Sequence, residues 1–133
     1  MNLVLTYLSV AATFVAIDML WLGSMVERLY RPVLGDMLRT TPNLTAAAVF
    51  YLLYPVGLLI FVVLPAHQEG SALKAFTSGM MFGCFTYATY DLTNQATLRN
   101  WSTVLTVADI CWGTFLAGLT AWLGYLVAQR LGS

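Results

Sequence analysis

Four apolar stretches of membrane-spanning length, separated by short polar breaks, govern what this chain can fold into. They run over about 3–26, 44–64, 72–95 and 103–128 of the 133 residues. A helix needs about 20 apolar residues to cross the hydrocarbon layer. In lipid only helices or closed barrels satisfy every backbone polar group. No stretch alternates as barrel strands do, so the sequence predicts an all-α membrane protein. The expected architecture is a four-transmembrane-helix bundle forming one domain. Composition agrees, since charged residues make up 9% of the chain against about 25% in soluble domains. Six basic and six acidic residues cancel, leaving no basic stripe to bind nucleic acid.

The breaks mark the connections. Pro32 and Pro42 lie in the first, Pro65 and Glu69-Gly70-Ser71 in the second, and Arg99 and Asn100 in the third. The start, Met1-Asn2-Leu3, has no basic residue, and Asp18 interrupts the apolar run, so the first segment reads as a retained helix. Four spans place both termini on one side. Arg28, Arg31, Arg39 and Arg99 fall on the other side, against Lys74 and Arg130 on the side of the termini. The positive-inside rule then puts the first and third connections in the cytoplasm and the termini in the periplasm. Within the first connection, Pro32 suits a first helical position, and Val33, Leu34, Met37 and Leu38 share a face. A short helix in the headgroup layer fits this pattern, as does an ordered loop.

Asp18, Asp91 and Asp109 each fall inside a different span. A carboxylate at mid-membrane costs roughly 2.5–3.5 kcal/mol on the insertion scale, so three of them need a reason. At ~1.5 Å per residue they lie roughly 12, 6 and 9 Å from the same membrane face. Faces turned inward would share one polar pocket. Trp21 and Trp112 each follow an aspartate by three positions, making two Asp-x-x-Trp pairs. Tyr87, Asp91 and Asn94 share one face of the third span, and Tyr90 lies on the next. Tyr51 and Tyr54 reach the same layer from the second span, where Pro55 can kink the helix and free a carbonyl. Gly79 and Gly83 form a GxxxG that continues into the Asp91 face. Gly113, Ala117 and Ala121 continue the Asp109 face. Close packing of the third and fourth spans follows from this pattern, although such a ridge also serves dimers.

The acids carry two readings. In one they only fix the bundle by bonding Tyr, Trp, Thr and Asn. In the other they form a pocket in which they titrate as a set. A pocket admits a small polar or cationic ligand, bound or translocated. The alternatives are an enzyme acting on a lipid or isoprenoid, and an accessory subunit of a larger membrane complex. The expected ligand-binding set is Asp91 first, then Asp109 and Asp18, with Asn94, Tyr87, Tyr90, Tyr51, Trp21 and Trp112 around them. No cofactor is implied. His67 is the single histidine and falls in a turn away from the acids, where it reads as a solvated loop residue. Cys84 and Cys111 stand apart, so a di-iron site, a His-ligated haem and a zinc site lack their ligands. Trp101 and Trp122, near span ends, read as interfacial anchors. Membrane lipids are the expected surroundings, with a homodimer or larger complex left open.

Four segments occur in a fixed order: Asp18-Met19-Leu20-Trp21-Leu22-Gly23, Phe50-Tyr51-Leu52-Leu53-Tyr54, the run from Tyr87 to Leu98, and Asp109-Ile110-Cys111-Trp112-Gly113. Through them the chain resembles a family of small bacterial predicted membrane proteins, the domain of unknown function 2177. The resemblance spans nearly the whole chain, and Tyr90-Asp91-Leu92-Thr93-Asn94-Gln95-Ala96-Thr97-Leu98 is its most specific part. It implies a four-helix protein of the bacterial inner membrane. It carries no activity and assigns no roles.

Overall fold

A computed structural model describes residues 2–39 and 41–132. Among the described residues all regular structure is helical, with no strand. The first helix, α1 (Leu3–Met25), starts where the Asn2 side chain accepts the Leu5 amide at 3.1 Å, a side-chain cap on an orphan donor. It passes without a break into a π-helical segment, Val26–Tyr30, then α2 (Arg31–Leu34) and a 3-10 turn, Gly35–Met37. The helix expected in the first connection is therefore stacked on the end of α1. Glu27 and Arg31 pair across one turn of it, at 2.8 Å.

Asn43 caps α3 (Leu44–Leu58), which runs through Pro55. Proline lacks the amide that would bond the Tyr51 carbonyl. A second π segment, Leu59–Val63, follows and leads into α4 (Leu64–Glu69). Gly70 ends α4 in the left-handed conformation, φ +65°, which glycine adopts without a Cβ clash. Ser71 then caps α5 (Ala72–Thr97), and Ser102 accepts the Leu105 amide at the start of α6 (Thr103–Gly132).

Among the described residues, three continuous runs are long and apolar enough to cross a membrane: Leu3–Met37, Leu44–Glu69 and Thr103–Leu131. The outer faces of the long helices, α5 included, stay apolar. Leu20, Leu44 and Leu73 are each 73% exposed, and Phe61 and Phe85 68%. Water would penalise such a surface, whereas lipid matches it. The fourth long helix, α5, has 26 residues but is more polar than the other three. Its hydroxyls turn back on their own helix. Thr77, Thr86, Thr89 and Thr97 donate to carbonyls four residues earlier at 2.7–2.9 Å, and Thr93 does the same to Thr89. The threonine hydroxyls of α5 are thus satisfied within the helix.

The core lies where α1, the end of α3 with its π segment, and α6 meet. Val10, Phe14, Leu58, Val63 and Leu116 are fully buried there. The tightest seam joins α5 to α6. A Cβ on Gly79 would stand 2.7 Å from the Ala121 Cβ and 2.8 Å from the Ala117 carbonyl. One on Gly83 would strike the Gly113 carbonyl and the Ala117 Cβ. The small residues let the two backbones approach, and in lipid such packing supplies the association that water would otherwise drive.

Candidate functional site

On α1 and α6 the two Asp-x-x-Trp pairs meet head to tail. Residue numbers rise along α1 as they fall along α6, with Val10 beside Gly124 and Asp18 beside Trp112. When one i, i+3 motif is repeated on antiparallel helices, the first residue of each copy faces the second residue of the other. The Trp112 Nε1 accordingly donates to Asp18 Oδ1 at 3.1 Å. In the opposite direction a tyrosine completes the link. The Trp21 Nε1 donates to the Tyr30 hydroxyl at 2.9 Å, and that hydroxyl donates to Asp109 Oδ1 at 2.5 Å. The two indoles stack between the aspartates, centroids 4.5 Å apart and planes within 8°. From α3, the Tyr51 hydroxyl donates to Asp18 Oδ2 at 2.5 Å. Asp18 therefore accepts one bond on each oxygen and is 6% exposed; Asp109 is 5% exposed. Neither is ion-paired: the pairs among the described residues are Arg31–Glu27 and Lys74–Glu69.

These groups surround a cavity of about 440 Å³. Asp18 and Asp109 supply its acids, and Tyr30, Phe50, Tyr54, Tyr87, Tyr90 and Trp112 its aromatic walls, with Leu22 and Thr86 completing them. The Tyr54 hydroxyl pairs with Thr86 Oγ1 at 2.8 Å, which ties α3 to α5 across the cavity. Tyr87 lies over Gly113, where any Cβ would collide with its ring. The glycine on α6 thus makes room for a wall residue from α5. A second cavity, about 650 Å³, opens beneath the first connection, between Leu34, Met37, Leu38, Arg39 and Pro42 on one side and Asn94, Leu98 and Trp101 on the other. Tyr90 lines both cavities.

The nine residues singled out from sequence divide into three groups. Asp18, Asp109, Tyr87, Tyr90 and Trp112 line the inner cavity, while Tyr51 and Trp21 support it through hydrogen bonds. Asn94 lines the outer cavity. Asp91, expected at the centre, lines neither. It is fully buried, and neither carboxylate oxygen accepts a hydrogen bond from an N–H or O–H donor. Its interacting neighbour is Asp109. The α5 face that carries Asp91 is the one pressed against α6, which removes it from the cavity wall.

Two expectations change for similar reasons. Trp101 is 8% exposed; its Nε1 donates to Thr106 Oγ1 at 3.0 Å, and its ring stands edge-on to Tyr90 at 5.6 Å. It packs inward instead of anchoring at the interface. His67 lies within α4, partly buried, with Nδ1 covered and unbonded. It is not a solvated loop residue.

Sequence reasoning missed Tyr30, Phe50 and Leu22. Leu22 and Phe50 flank motif residues, and their apolar side chains gave no chemical signal. Tyr30 follows Trp21 by nine residues, which is two and a half turns of an α-helix and would point it to the opposite side. The π segment Val26–Tyr30 breaks that phase, a feature frequent at functional sites. Among the described residues no three of His, Cys, Asp and Glu gather as a metal-binding group.

Long apolar helices, an apolar outer surface and acids turned inward define a helical membrane protein. The chain matches the family described as predicted membrane protein, domain of unknown function 2177, over residues 3–126. It belongs to that family. No curated protein and no solved structure matches it.

Proposed function

We propose that the protein binds a small organic cation, an ammonium group carried on an apolar frame, inside its helix bundle. One observation carries this reading. Asp18 and Asp109 face an aromatic-walled cavity, both almost completely buried, and neither has a Lys or Arg partner. Buried charge without compensation costs several kcal/mol, and a cation entering the cavity removes that cost. Aromatic faces favour an organic cation over a metal ion, each contributing about 0.5–2 kcal/mol when desolvated. The hydroxyl and indole donors already occupy both Asp18 oxygens and one of Asp109. The acids then act through their field more than as bare ligands. The cavity volume, about 440 Å³, falls in the usual small-ligand range of about 300–1,000 Å³.

The same reading makes α5 a fourth crossing. Its 26 residues span about 39 Å at ~1.5 Å each, and its threonine hydroxyls are satisfied internally. In that topology the outer cavity opens towards the side rich in arginine, assigned to the cytoplasm of a bacterial inner membrane, and the termini face the periplasm.

The test is a titration of detergent-solubilised protein with benzyltrimethylammonium and with its neutral carbon isostere, 2,2-dimethylpropylbenzene. Calorimetry and the emission of the Trp21–Trp112 pair report binding. The cation is expected to bind with Kd between about 1 µM and 1 mM, or roughly −8 to −4 kcal/mol, and at least about tenfold tighter than the isostere. Equal affinity overturns the reading and leaves an apolar cavity that accepts lipid tails.

A further inference from the structure

Asp91 takes no part in the cavity wall, yet it is the most completely buried acid of the chain. Its position follows from the register of the α5–α6 seam. Gly79 meets Ala117 and Ala121, and Gly83 meets Gly113 and Ala117. Each step of four along α5 steps back four along α6. Tyr87 over Gly113 continues the series, and one further step sets Asp91 opposite Leu105 and Asp109. Leu105 is fully buried and apolar. Asp109 has one oxygen committed to Tyr30, which leaves the other for Asp91.

We infer that Asp91 and Asp109 form a carboxyl–carboxylate pair holding one proton between them, and that a cation entering the cavity expels that proton. The inference rests on the cation-binding reading and adds an exchange to it. Two carboxylates facing each other in an apolar seam cannot both be ionised without a nearby positive charge. No Lys or Arg supplies one within ion-pair distance. A proton shared between the two oxygens also gives Asp91 the hydrogen bond it otherwise lacks.

The groups facing the pair come from every packed element. Asp109 is on α6, Tyr87 and Tyr90 are on α5, and Tyr30 follows α1. Asp18 stands across the cavity with Tyr51 and Tyr54 of α3. Arg39 lies in the outer cavity beyond Tyr90. Of these, only Arg39 is permanently cationic, and it pairs with neither acid. The exchange balances. The carboxylic O–H bond of the pair breaks, its proton passes through Asp109 into the cavity and on to water, and the second negative charge left behind compensates one bound monocation.

Proton release is read during titration with benzyltrimethylammonium, by calorimetry in buffers of different ionisation enthalpy. About one proton per bound cation is expected, with affinity rising up to about tenfold per pH unit across the range of release. Asp91→Asn keeps both cavity acids. It is expected to bind the cation with release near zero and affinity nearly independent of pH. Binding without proton release in the unaltered chain overturns the pair while sparing the cation site.

A ligand-free measurement separates the two ideas further. Infrared difference spectra of the empty protein are expected to show a protonated carboxyl C=O band at neutral pH. That band should be lost in Asp91→Asn, shift in frequency in Asp109→Asn, where the buried Asp91 keeps a proton without its partner, and stay in place in Asp18→Asn. No band in the unaltered chain, a band that survives Asp91→Asn, or a band that Asp109→Asn leaves unshifted overturns the shared proton whatever the binding result. Should Asp91→Asn fail to fold, the band shift in Asp109→Asn carries the infrared test.

Discussion

Replacing Asp18 with Asn probes the site at its most connected point, because the change keeps the shape and removes one acceptor. Asp18 accepts from Trp112 on one oxygen and from Tyr51 on the other. An asparagine offers one oxygen and one NH2. Whichever donor meets the NH2 is left unpaired. A hydrogen bond to a charged group is worth about 1.5–3 kcal/mol, and an orphaned buried donor costs a similar amount. A net loss of about 2 kcal/mol is expected, lowering the apparent melting temperature in detergent by roughly 5–10 °C for a chain of this size. Cation binding should weaken as well. At an effective dielectric constant of about 20, a unit charge at ~4 Å contributes about 4 kcal/mol, so losing even a third of this costs about tenfold in Kd. Thermal unfolding followed by tryptophan emission gives the first quantity, and benzyltrimethylammonium titration the second. Tyr51→Phe combined with Asp18→Asn in a double-mutant cycle should show a coupling of at least about 0.5 kcal/mol. Unchanged melting, unchanged cation affinity and zero coupling together would refute the assignment of Asp18 as the anchor of this network.

Two further changes test the geometry elsewhere. Gly83→Ala drives a methyl into the Gly113 carbonyl and Ala117, and overpacking of this kind costs about 1–3 kcal/mol; the same change at Gly23, where a Cβ meets nothing, is expected to leave melting unaltered. Tyr30→Phe removes the hydroxyl between Trp21 and Asp109, so an indole N–H loses its acceptor; a loss of about 1–2 kcal/mol, read by thermal unfolding, is expected with a shift in Trp21 emission.

Much of this architecture is legible in the order of residues because membrane helices leave few choices. Apolar runs fix where helices form. Asn2, Asn43, Ser71 and Gly70 stand where the chain caps or ends them. The seam of α5 with α6 is visible in Gly79 and Gly83, since only residues without a side chain let two backbones touch. That Asp18 and Asp109 share one half of the membrane follows from counting residues, and the structure brings both to one cavity.

What counting cannot supply is rotation about each helix axis. Asp91 lies in the same half of the membrane as the other acids, but it shares the α5 face of Gly79 and Gly83, so close packing of that face turns Asp91 into the seam and away from the cavity. The glycine pattern that suggested inward-facing acids therefore already held the reason why one of them stands behind the others. Tyr30 is the converse case. Its phase along α1 would exclude it, and only the π segment, a local change in pitch that no apolar pattern announces, delivers its hydroxyl to Asp109. The two Asp-x-x-Trp pairs lie between these extremes. Each copy alone looks like a weak coincidence. On antiparallel helices the repeat becomes a mutual arrangement, in which Trp112 serves Asp18 directly and Trp21 serves Asp109 through Tyr30. A short repeat in a membrane chain thus gains meaning from the relative direction of the helices that carry it, and here that direction brings two isolated acids to one aromatic-walled chamber.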